Sequence, residues 1–175
     1  MPVYRLGDLA PRVHPDAYVH PDAVIIGDVT VGAESTVWPS AVLRGDYGSI
    51  SVGERTSVQD ASVVHAGPGL PTVIGSGCVI GHLVHLEGCV LEDGCLVGSG
   101  ALVLHHAVVR SRATVGANAV VPNGMEVPEG ALALGVPAEI RPNASHPEII
   151  RVAVAEYVDN GRRFRRELVR MDPPD

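Results

Sequence analysis

A six-residue repeat of branched apolar residues runs through most of this chain. Six is a multiple of the strand period of two but not of the helix period of 3.6, so the repeat excludes one long amphipathic helix. It predicts short β-strands stacked coil upon coil, with branched side chains of successive coils filling a common interior column. The fold class indicated is an all-β solenoid. The repeated positions are Val13, Val19, Ile25, Val31, Val37, Leu43, Val52, Val58, Val64, Ile74, Ile80, Leu91, Val97, Val103, Val109, Val115, Val121 and Val127.

The composition agrees with a narrow interior and tight corners. The chain has 20 glycines, and aromatic residues make up only 3% of it. Small residues fit a thin coil, and glycine tolerates the backbone angles that sharp corners need. The alternative is an antiparallel sandwich with turns every 8–12 residues, which does not explain a fixed six-residue register.

The repeat stops after Gly135-Val136-Pro137-Ala138, and helical spacing follows. Ser145-His146-Pro147-Glu148 has the form of a capping box, in which a serine oxygen and a glutamate satisfy the first amides of a helix. Apolar residues from Ile149 to Phe164 then recur at helical intervals, which predicts one helix of about 20 residues. We therefore expect a solenoid domain over 1–144, a C-terminal helix over 145–170 packed on it, and a tail over 171–175.

Charge and residue usage narrow the function classes. The net charge is −7, and all thirteen basic residues are arginine, which excludes chemistry that needs a lysine. An acidic chain with few aromatics is poorly suited to nucleic acid. No apolar run approaches the ~20 residues that span a bilayer, and the N-terminus lacks a secretion-signal pattern. We expect a cytoplasmic protein with no membrane and no nucleic-acid partner.

The repeat is interrupted at three places, and these interruptions collect the reactive side chains. The spacing is nine after Leu43, ten after Val64 and eleven after Ile80, instead of multiples of six. A solenoid gains stability from regularity, so irregular coils point to function. The side chains in or beside the breaks that could bind a metal or move a proton are Arg44, Asp46, Gln59, Asp60, His65, His82, His85 and Glu87.

Imidazoles and carboxylates from separate segments could together hold a divalent cation with an open position for water. Such a cation makes water acidic enough to supply hydroxide near neutral pH. The alternative is that these histidines are ordinary turn residues with satisfied hydrogen bonds. Spacing alone leaves both interpretations open.

The motifs in their order resemble those of the gamma-class carbonic anhydrase family. The chain contains Arg44-Gly45-Asp46, Gln59-Asp60, His65, Gly81-His82 and Gly88-Cys89, and its repeat ends in Gly135-Val136-Pro137-Ala138 before a helix. The resemblance implies a left-handed triangular β-helix that assembles as a homotrimer. It also implies reversible hydration of carbon dioxide at metal sites between subunits, with one ligand from the neighbouring subunit. The metal would be zinc, or iron or cobalt.

The resemblance also implies the metal ligands, and here the chain departs from the family. His65 matches the first metal histidine and His82 the second. The family's third histidine stands five residues after the second, but Glu87 occupies that position. Glu87 could bind the metal, a ligand set that also suits iron(II). Otherwise His85 could replace it by a local shift, although its odd offset from His82 places it on the opposite face of a regular strand, or the site could be empty. We favour Glu87.

Five further residues receive roles from the resemblance. Arg44 and Asp46 match an ion pair that holds subunits together near the site. Gln59 matches a glutamine that orients the reactants, and Asp60 a neighbouring carboxylate. Tyr157 resembles a tyrosine near the site, although it could equally be a helix residue packed on the solenoid.

The remaining candidates are expected to be structural. We interpret His14 and His20 as corner residues, and His105-His106 as a solvated pair in a regular coil with no other cluster nearby. Trp38 is expected to pack, and the expected core fillers are Cys78, Cys89 and Cys95.

The preferred function is thus a carbonic anhydrase-like lyase acting on a small molecule. One alternative is a divergent relative with another small substrate or no catalysis. A further alternative is a hexapeptide acyltransferase.

Overall fold

The computed structural model describes residues 2–171, which form a parallel β-solenoid of about seven turns with one helix at its C-terminal end. It is the left-handed β-helix that the sequence resemblance implied. Met1 and most of the predicted tail, residues 172–175, lie outside the described residues. The elements are β1 (Val3–Tyr4), β2 (Arg12–Val13), β3 (Tyr18–Val19), β4 (Val24–Val31), β5 (Thr36–Val37), β6 (Val42–Val52), β7 (Ser57–Val58), β8 (Val63–His65), β9 (Thr72–Ile74), β10 (Val79–Ile80), β11 (His85–Glu87), β12 (Val90–Leu91), β13 (Leu96–Val97), β14 (Leu102–Val103), β15 (Val108–Val109), β16 (Thr114–Val115), β17 (Val120–Val121), β18 (Glu126–Val127), β19 (Leu132–Leu134), β20 (Glu139–Arg141) and α1 (Pro147–Glu167).

The strand register explains the three breaks in the repeat. In the regular coils, paired residues such as Leu96 and Thr114 stand 18 positions apart, so one coil consists of three six-residue units. The offset becomes 21 between β6 and β8, 22 between β8 and β11, and 17 between β11 and β14. The breaks therefore insert three or four residues, or remove one, without moving the apolar column out of the interior.

The interior is filled as the repeat predicted. The branched residues of the column from Ile25 to Val127 are almost completely buried, and alanines fill a second column. The three cysteines are free and buried in the same core. Trp38 packs edge-on against Tyr157 and Phe164, which confirms its packing role.

Helix α1 covers one face of the solenoid. It lies against β3, β5, β7 and β10 and buries Ile150, Val154 and Val158. The predicted capping box is wrong: His146 is the N-cap residue and makes no side-chain cap hydrogen bond. The Ser145 hydroxyl instead lies 2.8 Å from that of Thr114, because the chain is still bound to the solenoid there. No helix within residues 2–171 has the apolar length needed to cross a membrane.

The last coil ends in a hairpin. Strand β20 folds back antiparallel on β19 around Gly135–Ala138. The hairpin pairs the backbone groups of β19, while β17, β18 and β20 are the terminal strands at this end of the described sheets.

The first break is built on glycines that bring two strands unusually close. The register between β4 and β6 shifts between Gly27 and Val29. Gly27 has a φ of +79°, and a Cβ there would collide with the Gly45 carbonyl oxygen. A Cβ on Gly45 would lie 2.5 Å from the Asp28 carbonyl oxygen. Only glycine fits this crossing, which presents the flanking Arg44 and Asp46 on the surface of the coil.

Candidate metal centre

Three of the predicted site residues form one column across neighbouring coils. Arg44 pairs with His65 in the β6–β8 register, and His65 pairs with Glu87 in the β8–β11 register. Residues at matching positions of adjacent parallel strands lie about 4.8 Å apart and project to the same side. The register therefore brings the three side chains together, although 22 residues separate the last two.

His65 lies between two carboxylates. Its Nε2 is 3.0 Å from Asp46 Oδ1, and its Nδ1 is 2.8 Å from Glu87 Oε1. Arg44 forms an ion pair with the other oxygen of Asp46 within the same chain. The family resemblance implied that this ion pair holds subunits together near the site. The His65 side chain is 16% exposed, so these contacts are partly shielded from water.

The surroundings of the two carboxylates favour their ionised forms. Burial acts to raise the pKa of Glu87, but the hydrogen bond and charge of His65, together with His85 and His105, hold the pKa below its usual value. Burial also acts to raise the pKa of Asp46, but hydrogen bonds from His65 and Arg44 bring that pKa below its usual value. Both groups therefore offer anionic oxygens at neutral pH.

Two further histidines surround Glu87. His85 Nε2 lies 3.2 Å from Glu87 Oε2, and His105 Nε2 lies 3.5 Å from Oε1. The expectation that His105 has no cluster nearby is wrong, because the 17-residue coil brings it over the end of β11. Gly88 allows this approach: a Cβ there would lie 3.3 Å from the His105 ring.

His85 shares the outer face of β11 with Glu87, two positions away. The odd offset from His82 does not decide its orientation, because a turn with Leu83 at a φ of +60° separates His82 from the strand. The prediction that His85 and His82 lie on opposite faces assumed one continuous strand between them, so it does not apply.

A buried threonine that the sequence interpretation overlooked ties the two ligand-bearing strands together. The Thr72 hydroxyl donates to the His65 carbonyl oxygen at 2.5 Å and accepts from the Gly88 amide at 2.8 Å. Thr72 is fully buried, so these bonds are protected from water. The signal for it is its place directly after the Gly/Pro loop that follows His65.

His82 stands at a corner of the solenoid, apart from His65. Its Nδ1 lies 2.9 Å from Asp60 Oδ2, and half of its side chain is exposed. Gln59 precedes this corner and is 4% exposed, and within residues 2–171 its side-chain amide has no hydrogen-bond partner. The amide is not among the fully buried polar atoms that lack a partner, so solvent reaches it and it can donate to or accept from another molecule.

Tyr157 lies on helix α1. Its ring packs against Trp38 at 5.8 Å between centroids. Burial, followed by the negative charges of Glu156 and Asp60, raises the pKa of Tyr157. The packing role of Tyr157 is therefore observed, and its role at the site stays a prediction.

The candidate residues thus form two separate groups, the strand cluster (Asp46, His65, His85, Glu87, His105) and the corner pair (Asp60, His82). A turn at His82 and Leu83 separates His82 from strand β11, which carries Glu87. Within residues 2–171, no set of three or more His, Cys, Asp or Glu side chains is arranged to hold a metal ion. The structure therefore brings His65 and Glu87 together but does not bring His82 to them within one chain.

The donor chemistry of the two groups nevertheless fits a divalent cation. A neutral imidazole has one N–H, so one nitrogen of His65 faces a carboxylate with its lone pair unless a proton or cation lies between them. His82 has one nitrogen against Asp60 and the other available. A histidine held by a carboxylate at its second nitrogen is the usual arrangement of a metal ligand.

Comparison with known proteins identifies relatives along nearly the whole chain. The family of bacterial transferase hexapeptide (six repeats) matches residues 10–45 and 71–105. A carbonic anhydrase of Geobacillus kaustophilus is 32% identical over 165 residues, covering 93% of this chain and 91% of that protein. A crystal structure of a hexapeptide transferase family protein from Anaplasma phagocytophilum, 32% identical, superposes with a TM-score of 0.89 over 93% of this chain and 98% of the other.

A second group of relatives matches a shorter segment. Gamma carbonic anhydrase 3, mitochondrial, of Arabidopsis thaliana is 44% identical over 92 residues, which is 49% of this chain. The match spans only 36% of that protein's length.

Proposed function

The chain belongs to the gamma carbonic anhydrase family of hexapeptide-repeat proteins, and we propose that it is a metal-dependent lyase that reversibly hydrates carbon dioxide to bicarbonate. The observation that supports this most is the pairing of each ligand histidine with a carboxylate. His65 Nε2 lies against Asp46, and His82 Nδ1 lies against Asp60. The structural corner histidines His14 and His20 lie farther from their neighbouring carboxylates, at 3.7 and 3.8 Å.

The proposal includes a homotrimer whose sites lie between subunits. Within residues 2–171 of one chain, the strand cluster and the corner pair do not come together to hold a metal ion. A head-to-tail ring brings one surface of each protomer against a different surface of the next, and it closes without leaving free sites. In such a ring His65 and Glu87 of one protomer can share a cation with His82 of its neighbour.

A divalent cation held there supplies Lewis acidity, which makes water a nucleophile near neutral pH. The protein side chains prepare the place for it. Asp46 accepts the Nε2 hydrogen of His65 and so leaves the Nδ1 lone pair available. The Asp60 carboxylate lies 2.9 Å from Nδ1 of His82, on the side of the ring away from Nε2. Arg44 keeps Asp46 ionised and in position.

Gln59 and Tyr157 act on the substrate side of the proposed reaction. The unpartnered amide of Gln59 can donate to an oxygen of carbon dioxide and accept a hydrogen from water, which would orient both for attack. Tyr157 covers the corner near Asp60 and limits the access of bulk water. Neither role requires the side chain to move far from its observed place.

We propose zinc as the metal, with iron or cobalt able to use the same ligands. Two imidazoles and one carboxylate also suit iron(II). Glu87 brings a negative charge that a histidine would not, so the cation attracts electrons from water less strongly. We therefore expect slower hydration at neutral pH than a three-histidine site would give. As part of this proposal, the three free thiols fit a reducing cytoplasm.

Acyl transfer is the second candidate, because the matching family and the Anaplasma protein are both named as transferases. An acyltransferase would need a histidine base and a groove for an acyl carrier. His65 held by Asp46 could serve as such a base, but acyl transfer gives no role to His82 beside Asp60 or to Glu87 beside His65. Turnover of acetyl-coenzyme A by the metal-free protein would favour this candidate.

Removal of the metal is expected to abolish the activity. Protein purified without chelator or added zinc should contain about one metal ion per chain, since a trimeric ring has one interface per protomer. After stripping with dipicolinate and reloading with zinc, cobalt or anaerobic iron(II), stopped-flow hydration of carbon dioxide should be at least tenfold faster than in the stripped protein. Equal rates for stripped and fully loaded protein would show that the lyase proposal is wrong.

A further inference from the structure

We infer that His85 and His105 are positioning residues that fix the Glu87 carboxylate as a ligand bound through one oxygen. This inference rests on the proposed function, because it concerns how Glu87 meets the cation. It arises from two contacts that a histidine in place of Glu87 would not need: His85 Nε2 to Oε2 at 3.2 Å, and His105 Nε2 to Oε1 at 3.5 Å.

A glutamate at position 87 is harder to hold in one geometry as a metal ligand than a histidine would be. Its side chain has more rotatable bonds, so ordering it costs more conformational entropy. Its carboxylate also has two equivalent oxygens, so it can bind a cation through one or both. A site built for one donor atom therefore needs something that holds the chain still and occupies the second oxygen.

The observed contacts meet both needs. Oε1 faces His65 Nδ1 at 2.8 Å and is the oxygen directed toward the proposed cation. Oε2 accepts a hydrogen bond from His85, which leaves Oε1 for coordination. A neutral imidazole is a sufficient donor for this bond, so the arrangement does not depend on the charge of His85. His105 steadies the carboxylate by a charge contact to Oε1 at 3.5 Å, which is too long for a hydrogen bond that would occupy this oxygen.

The backbone makes the arrangement rigid. His85 and Glu87 lie on the same face of β11, which is paired with β8 on one side and β14 on the other. His105 approaches over Gly88, where a Cβ would lie 3.3 Å from its ring. The side chains of His85, Glu87 and His105 are 35%, 25% and 39% exposed, so water competes only partly for these contacts.

Cobalt titration of the stripped trimer tests the inference without using activity. We expect His85→Ala to weaken Co²⁺ binding about tenfold, and the double variant with His105→Ala up to about 100-fold, the range for partners that orient metal ligands. The visible cobalt absorbance should also fall in His85→Ala, because a released Oε2 adds a ligand. His85→Gln restores an N–H donor and should recover both values.

His106→Asn is the matched control. His106 is the exposed neighbour of His105 with a φ of +60°, which asparagine tolerates, and it should leave the titration unchanged. Wild-type affinity and absorbance in the double variant would overturn the inference and leave the proposed function intact. A His85→Gln protein as impaired as His85→Ala would also overturn it, because ring packing and not N–H donation would then matter. A wild-type protein that binds no Co²⁺ would overturn the inference and the proposed function together.

Discussion

His65→Ala protein is expected to retain no zinc through gel filtration and to hydrate carbon dioxide no faster than buffer. The two ring nitrogens of His65 lie against the carboxylates of Asp46 and Glu87, one against each. Removal of His65 leaves two anionic groups without the ligand that joins them to a cation. Loss of a partner that only orients a ligand costs 10–100-fold in affinity, so loss of the ligand itself should cost more than about 100-fold.

Metal content by mass spectrometry after equilibrium dialysis measures this loss. His14→Ala is the control, because His14 is an exposed corner histidine whose ring contacts only Asp16 among the described residues, its amide at 3.1 Å and its carboxylate at 3.7 Å. Circular dichroism should show the same solenoid in both variants, since the interior column is untouched. Full zinc content in His65→Ala would exclude the strand cluster as the metal centre.

Glu87→His should raise the rate of carbon dioxide hydration at pH 7 by about tenfold or more. A neutral imidazole leaves more positive charge on the cation than a carboxylate does, so the pKa of water should fall. Each unit of fall raises the ionised fraction about tenfold while that pKa lies above the working pH. The rise in rate should therefore be largest at low pH and smaller in alkaline buffer.

The pH–rate profile by stopped flow, with zinc content measured in parallel, provides the test. Glu87→Gln is the control, because it removes the charge without supplying an imidazole. A histidine variant that is slower than wild type at full zinc content would contradict the idea that the carboxylate limits the reaction.

The solenoid was predictable because its signal is repeated many times. The branched residues in the column from Ile25 to Val127 repeat the same six-residue spacing, and the three breaks were visible as departures from that spacing. The helix was also predictable, but its start was not: Ser145 has the right residue type for a cap, and a hydrogen bond to Thr114 outweighs that preference. Local patterns of this kind do not include contacts 31 residues away.

The candidate site was predictable in its members but not in its grouping. The sequence order of His65, His82 and Glu87 contains no information on which strands lie side by side. The coil offset of 22 aligns His65 with Glu87, and it depends on how many residues the loop before Thr72 inserts. One coil further along the chain, His105 comes next to Glu87. A regular coil of 18 residues counted from Glu87 ends at His105, so the sequence could have indicated this neighbour.

Mixed trimers of His65→Ala and His82→Ala chains test most directly whether one cation site is shared between neighbouring protomers. Each variant alone should bind no Co²⁺, since every interface lacks one imidazole. When the two chains are unfolded, mixed in equal amounts and reassembled, about one interface in four should combine an intact His65 with an intact His82. We predict that the mixture recovers about a quarter of the wild-type cobalt absorbance and hydration rate. A mixed trimer with no bound cobalt, or either variant alone with a full complement, would contradict the shared site.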